Sequence, residues 1–139
     1  MPLPSVANFP SFLPGKQMLD GDVAANLIAE LFSSETGITA FAGGGQASAT
    51  QLNSAVNVVS VIATNADSVK LPPAVVGREI TVVNSDAAQS LQVFGYGTDT
   101  INGVATGTGV AQAAGVTAIY KCVSISAAGV GAWFRTLSA

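Results

Sequence analysis

The sequence predicts a mainly β protein: an antiparallel β-sandwich, jelly-roll-like, of about eight short strands, preceded by an extended N-terminal arm and one short helix. Three observations carry that prediction. Beyond residue 55, short apolar runs rich in Val and Ile follow one another at regular intervals. Gly, Pro, Asn and Asp gather between them, and no stretch of helical period separates any two of them. Strands joined without intervening helices are expected to pair antiparallel.

Residues 1–19 form the expected arm. Pro2, Pro4, Pro10 and Pro14 forbid a helix or a central strand and favour extended, polyproline-like backbone. A solvated tail ordinarily lacks large apolar residues, whereas this one carries Leu3, Val6, Phe9, Phe12 and Leu13. Those five are candidate partner contacts. Neither a basic leader nor an uninterrupted apolar segment is present in MPLPSVANFPSFLPGKQ, so no signal peptide is expected there.

Residues 20–45 read as a short helix and a glycine joint. From Asp20 to Phe32, Val23, Leu27 and Leu31 fall on one stripe beside Ala24 and Ile28, with Asn26 and Glu30 facing away. Asp20 or Asp22 is suited to the N-cap, and Gly37 to the stop after Ser33–Thr36. Gly43-Gly44-Gly45 is expected to be a flexible joint.

Residues 46–139 are the expected sandwich domain. Val56–Ala63 is an apolar run turned by Thr64–Asp67, Ser68–Leu71 alternates, and Pro72-Pro73 forces an exit. Arg78–Val104 reads as the central hairpin: Ile80–Val83 goes out, Asn84–Ala88 reverses, and Leu91–Phe94 returns. Asn102-Gly103 then marks a tight type I′ hairpin between Thr100-Ile101 and Val104-Ala105, because that turn needs positive φ at both central residues. Val110–Ala113, Thr117–Val123 and Ala132–Leu137 complete the strands. The expected core is Val59, Val61, Val69, Leu71, Ile80, Val82, Leu91, Val93, Ile119 and Phe134, subject to a one-residue slip of register.

Composition narrows function by exclusion. Only 9% of the 139 residues are charged, against about 25% in an average domain, so the surface is small, neutral and cheap to desolvate. Residues 1–45 hold Lys16 against Asp20, Asp22, Glu30 and Glu35, while residues 46–139 hold four basic and four acidic residues. The whole net charge of −3 therefore sits in the first third. Without a basic cluster, neither nucleic acid nor an acidic membrane surface is an expected partner. No apolar run approaches the ~18 residues of a membrane span.

The sequence contains no histidine, which removes Ser-His-Asp and Cys-His nucleophile systems and the commonest metal ligand. Cys122, the single cysteine, has no sister to share zinc. Alternation puts it on one face with Ala118 and Tyr120, so a buried, inert thiol in a reducing compartment is expected. Asp20-Gly21-Asp22 lacks the further acidic residues of a calcium loop. Asp86 and Asp99 could form a carboxylate pair, yet both stand in turns that favour Asp on conformational grounds. No cofactor, metal or catalytic residue is expected, and the chain is not expected to be an enzyme.

The strings Asp67–Pro72, Gly77–Asn84, Leu91–Phe94, Asp99–Gly103, Ala113–Ala118 and Gly131–Trp133 together resemble small β-domains of tailed-bacteriophage virions. The nearest kind is the jelly-roll cement, or head decoration, protein. The likeness runs from Asn57 to Trp133, rests on the spacing of turns and strands, and leaves out the arm and the helix. It implies a non-enzymatic protein on the outer surface of the virion head, made in the host bacterial cytoplasm. It also implies the major capsid protein as partner and a homo-oligomer, a dimer ahead of a trimer. The competing expectation is a fibre or tail-tip sandwich that recognises host glycan, for which Tyr96, among Gly95, Gly97, Thr98 and Asp99, is the candidate contact.

Overall fold

The computed structural model describes residues 31–139. The chain divides into two units, 1–33 and 34–139, and the second holds every described strand. The expected arm lies outside the described residues, as does all but the end of the helix expected over Asp20–Phe32.

Ten strands follow one another in the second unit: β1 (Ser34–Thr39), β2 (Thr50–Gln51), β3 (Val56–Val61), β4 (Asp67–Lys70), β5 (Glu79–Asn84), β6 (Leu91–Phe94), β7 (Thr100–Ile101), β8 (Val110–Gln112), β9 (Thr117–Ile125) and β10 (Gly131–Leu137). They form two sheets. One has six strands in the order β1-β3-β5-β9-β10-β7, the other four in the order β2-β4-β6-β8. The mainly β, sandwich-like class is as the sequence predicts.

The pairing is not. The β1–β3, β3–β5, β2–β4, β4–β6 and β7–β10 ladders are parallel; β5–β9, β9–β10 and β6–β8 are antiparallel. The all-antiparallel, jelly-roll-like order is therefore corrected to a mixed one. A parallel pair needs a crossover, which a helix usually supplies. Here a strand of the opposite sheet supplies it, since from β1 to β6 the chain passes from one sheet to the other and back. Ser34 pairs with Val56, Thr50 with Val69, Val56 with Thr81 and Asp67 with Leu91, so the successive circuits lengthen from about 20 residues to about 25.

The central hairpin is corrected for the same reason. β5 and β6 lie in different sheets and face each other across the core, Ile80 and Val82 from one side and Leu91 and Val93 from the other. The corner between them is built by buried Asn84, whose Nδ2 donates to the carbonyls of Gln89, Gln112 and Ala113 at 2.9, 3.2 and 3.0 Å. The Asn102-Gly103 turn has the positive φ values expected, 54° and 74°, and Val104 N–H closes it onto Ile101 O at 3.1 Å. Val104-Ala105 is not a strand, however. β7 pairs instead with β10, so the turn is right and the hairpin is not.

Two expectations in residues 34–45 are also corrected. Ser34–Thr39 is an edge strand rather than a frayed helix end, and Gly37 sits where the ladder to β3 shifts register between Glu35 and Ile38. The three glycines are a fastened loop: Gly43 N–H donates to Asp67 Oδ1 at 3.2 Å, and the Ser68 hydroxyl donates to Gly45 O at 3.1 Å. The β unit begins at Ser34, not at residue 46.

Between the sheets, Val59, Val69, Leu71, Ile80, Val82, Leu91 and Val93 are buried as expected, joined by Ile38, Leu52, Ile62, Ile101, Ala118, Tyr120, Cys122 and Trp133. Val61, Ile119 and Phe134 are exposed, which corrects their placement in the core. At Val61 the ladder to β1 shifts register again, and Ile62 takes the inward position. In β9 and β10 the inward set is Ala118, Tyr120, Cys122 and Trp133, which turns Ile119 and Phe134 to the other face.

Candidate interaction surface

β9 is apolar on both sides. Opposite its buried residues, Ile119, Val123 and Ile125 are 42%, 47% and 40% exposed. A strand of that composition is suited to being covered on both faces. Its neighbours continue the outer face with Val56 and Val58 from β3, Thr81 and Val83 from β5, and Phe134 and Thr136 from β10.

The register sets these residues in rows. Val56 pairs with Thr81, Thr81 with Ile119 and Ile119 with Thr136. On one side of that row Val58, Val83 and Thr117 line up; on the other, Glu79, Lys121 and Phe134. Lys121 Nζ lies 2.9 Å from Glu79 Oε2, with each side chain about half exposed. An exposed pair of this kind contributes only about 0.2–1 kcal/mol to stability. On β3, β5, β9 and β10 the outer face carries no other charge. Contiguous apolar surface of this sort marks an interaction site more often than scattered exposed side chains do.

Tyr96 stands on the turn between β6 and β7 and is 44% exposed. The turn is fastened around it. Gln46 Nε2 donates to Gly95 O and Gly97 O at 2.7 and 2.8 Å, Asp99 N–H to Tyr96 O at 2.9 Å, and the Thr106 hydroxyl to Thr98 O at 3.1 Å. Leu3, Val6, Phe9, Phe12 and Leu13 lie outside the described residues, so Tyr96 is the one expected contact with a described place.

The buried polar groups serve the fold. Asp67 accepts from Gly43 N, Ala63 N, Thr64 N and the Thr64 hydroxyl. Burial pushes its carboxyl up, but those hydrogen bonds outweigh it and hold the group below its ordinary value. Tyr120 donates its hydroxyl to Gln112 Oε1 at 3.0 Å, and burial raises its pKa well above the usual tyrosine range. Gln112 Nε2 in turn donates to Val82 O and Val116 O at 2.9 and 2.8 Å. Cys122 is fully buried, and burial followed by the nearby Asp99 charge pushes its thiol pKa up.

Asp86 and Asp99 each bond to groups of their own. Asp86 Oδ1 accepts Ala88 N–H and Gln89 N–H at 2.8 Å each, and Asp99 is buried against Gly131 and Trp133. Among the described residues no group of three or more His, Cys, Asp or Glu is placed to hold a metal ion, and no helix is long and apolar enough to cross a membrane.

No family model, curated protein or solved structure matches the chain. The surface that stands out is thus read from geometry, and it was not among the expected contacts. Its signal was present in Thr117–Ile125, where apolar residues occupy both alternating positions: Ala118, Tyr120 and Cys122 on one, Ile119, Val123 and Ile125 on the other.

Proposed function

We propose that this chain is a non-enzymatic structural protein of a tailed-phage virion that sits on the outside of the head and cements neighbouring major capsid protein subunits. The observation that carries the reading is the outer face of the six-stranded sheet, where Val, Ile and Phe side chains stand exposed around one ion pair. Covering such a face gains roughly 25 cal/mol per Å² of apolar surface removed from water. A protein built this way works against another protein surface. The resemblance of residues 57–133 to cement domains supplies the kind of assembly. The arm residues Leu3, Val6, Phe9, Phe12 and Leu13 supply the shell contact. Many weak contacts repeated over a lattice then add up by avidity. Quantifying the chain in purified heads and tails tests this: lattice-wide numbers on heads are expected, and its absence from heads overturns the reading.

One observation favours a second reading, a fibre or tail-tip module that binds host glycan. The fastened turn holds Tyr96 out beside uncharged Gln46 and Thr98, the aromatic-plus-polar arrangement such a site needs. A few copies on tails, with adsorption lost in Tyr96→Ala, would support it over the first.

A further inference from the structure

We propose that the outer face of the six-stranded sheet is a homodimer interface, in which two copies pack face to face about a two-fold axis. The axis runs parallel to the strands, between β5 and β9. This deepens the reading above by assigning the self-association surface, and it leaves the shell contact to the arm.

The sheet order β1-β3-β5-β9-β10-β7 has its midline between β5 and β9. The Glu79–Lys121 pair, the charge on this part of the face, straddles that line, because Glu79 is on β5 and Lys121 is its register partner on β9. A two-fold rotation about the midline carries β5 of one copy over β9 of the other. Each Glu79 then meets the second copy's Lys121, and each Lys121 the second copy's Glu79. The same operation sets Ile119 over Thr81 and Val83 over Thr117, because those residues are also paired across β5 and β9. The face is self-complementary in charge and in the register of its apolar and threonine side chains, as an isologous interface must be. A different partner would need its own acid and base in the mirrored order; a second copy has them by symmetry. Two sheets packed with nearly aligned strands is an ordinary arrangement for twisted sheets.

The test uses the full chain. Sedimentation across a wide range of concentration is expected to give a monomer–dimer equilibrium. Ile119→Asp is expected to abolish the dimer while leaving circular dichroism and thermal unfolding of the monomer intact, since the position is exposed. E79K and K121E, alone, each place like charges across the axis and are expected to weaken dimerisation at least about tenfold. Mixed, they are expected to form a heterodimer, because a face with two bases then meets a face with two acids. That outcome is not produced by a purely structural role for the pair, and it keeps the test decisive if I119D fails to fold. A chain that stays monomeric at every concentration, with the face covered by its own residues or by nothing, overturns the proposal. So does an E79K and K121E mixture that stays unassociated. A monomer found on heads removes this interface and keeps the head role; a dimer absent from heads does the reverse.

Discussion

Trp133 donates its indole N–H to Oδ2 of Asp99 at 3.3 Å, with both side chains buried, while Asp99 Oδ1 accepts the Gly131 N–H at 2.7 Å. One carboxylate thereby ties the turn before β7 to the start of β10, its parallel neighbour at the edge of the six-stranded sheet. Gly131 is fixed by the same packing, since a Cβ there would press into Ala74 and lie 2.8 Å from Asp99 Oδ1.

Asp99→Ala leaves two buried N–H donors without an acceptor, each costing about 1–3 kcal/mol. Urea unfolding is expected to lose about 2–6 kcal/mol with an unchanged slope. Asp99→Asn, which keeps one acceptor oxygen, is expected to lose less. An unaltered midpoint for the alanine variant would show that water replaces the carboxylate.

The facing strands β5 and β6 predict a contrast within the expected core. Val82→Asp or Val93→Asp puts an unpaired carboxylate at a fully buried position, and the cooperative transition is expected to disappear. Val61→Thr, at a position 49% exposed, is expected to stay within about 0.5 kcal/mol of the parent. Thermal unfolding of the three variants checks both halves.

Cys122 is expected to resist thiol reagents in the folded protein and to label fully in denaturant. It has no solvent exposure, and burial together with the Asp99 charge disfavours its thiolate. Rapid labelling under native conditions would mean that β9 and β10 open locally.

Asp67 predicts the acid limb of stability. Its folded pKa lies below the ordinary aspartate value of 3.8, so the unfolded chain binds the proton first as pH falls. Its contribution is complete above 3.8 and disappears as pH drops through the lower, folded value. Asp67→Asn is expected to flatten that part of the stability profile and to loosen the Gly43 loop, whose N–H it holds. A profile as steep as the parent's would assign the acid sensitivity to another carboxylate.

Strand content and most of the core were legible in the sequence because alternation and turn residues are local signals. Val59, Val69, Ile80, Val82, Leu91 and Val93 are buried for reasons visible within each strand. Pairing was not legible: Ile80–Val83 and Leu91–Phe94 have the composition of a hairpin whether they lie side by side or face each other. What decides between them is the long-range bonding of Asn84 to Gln112 and Ala113. The interaction face was hidden by the same ambiguity. Ile119 fits a core as well as an exposed apolar surface, and only its neighbours Ala118 and Tyr120, packed inward, settle which it is.

The β unit is expected to fold without the residues before it. A chain beginning at Ser34 keeps all ten strands and is expected to unfold cooperatively. One beginning at Gly45 loses β1, and with it buried Ile38 and Ala40, the β1–β3 ladder and the bonds between Phe41 and Ser68. Burial of Ile38 alone is worth roughly 1.5–3 kcal/mol, so this shorter chain is expected to be less stable by at least that amount. Neither carries Leu3, Val6, Phe9, Phe12 or Leu13. The chain beginning at Ser34 should therefore be folded, and dimeric through its sheet face, yet fail to bind heads stripped of the protein, while the full chain rebinds. Comparing the two in a head-binding assay decides where attachment lies. If the chain beginning at Ser34 occupies heads as fully as the parent, the shell contact belongs to the β unit and the arm is not the tether.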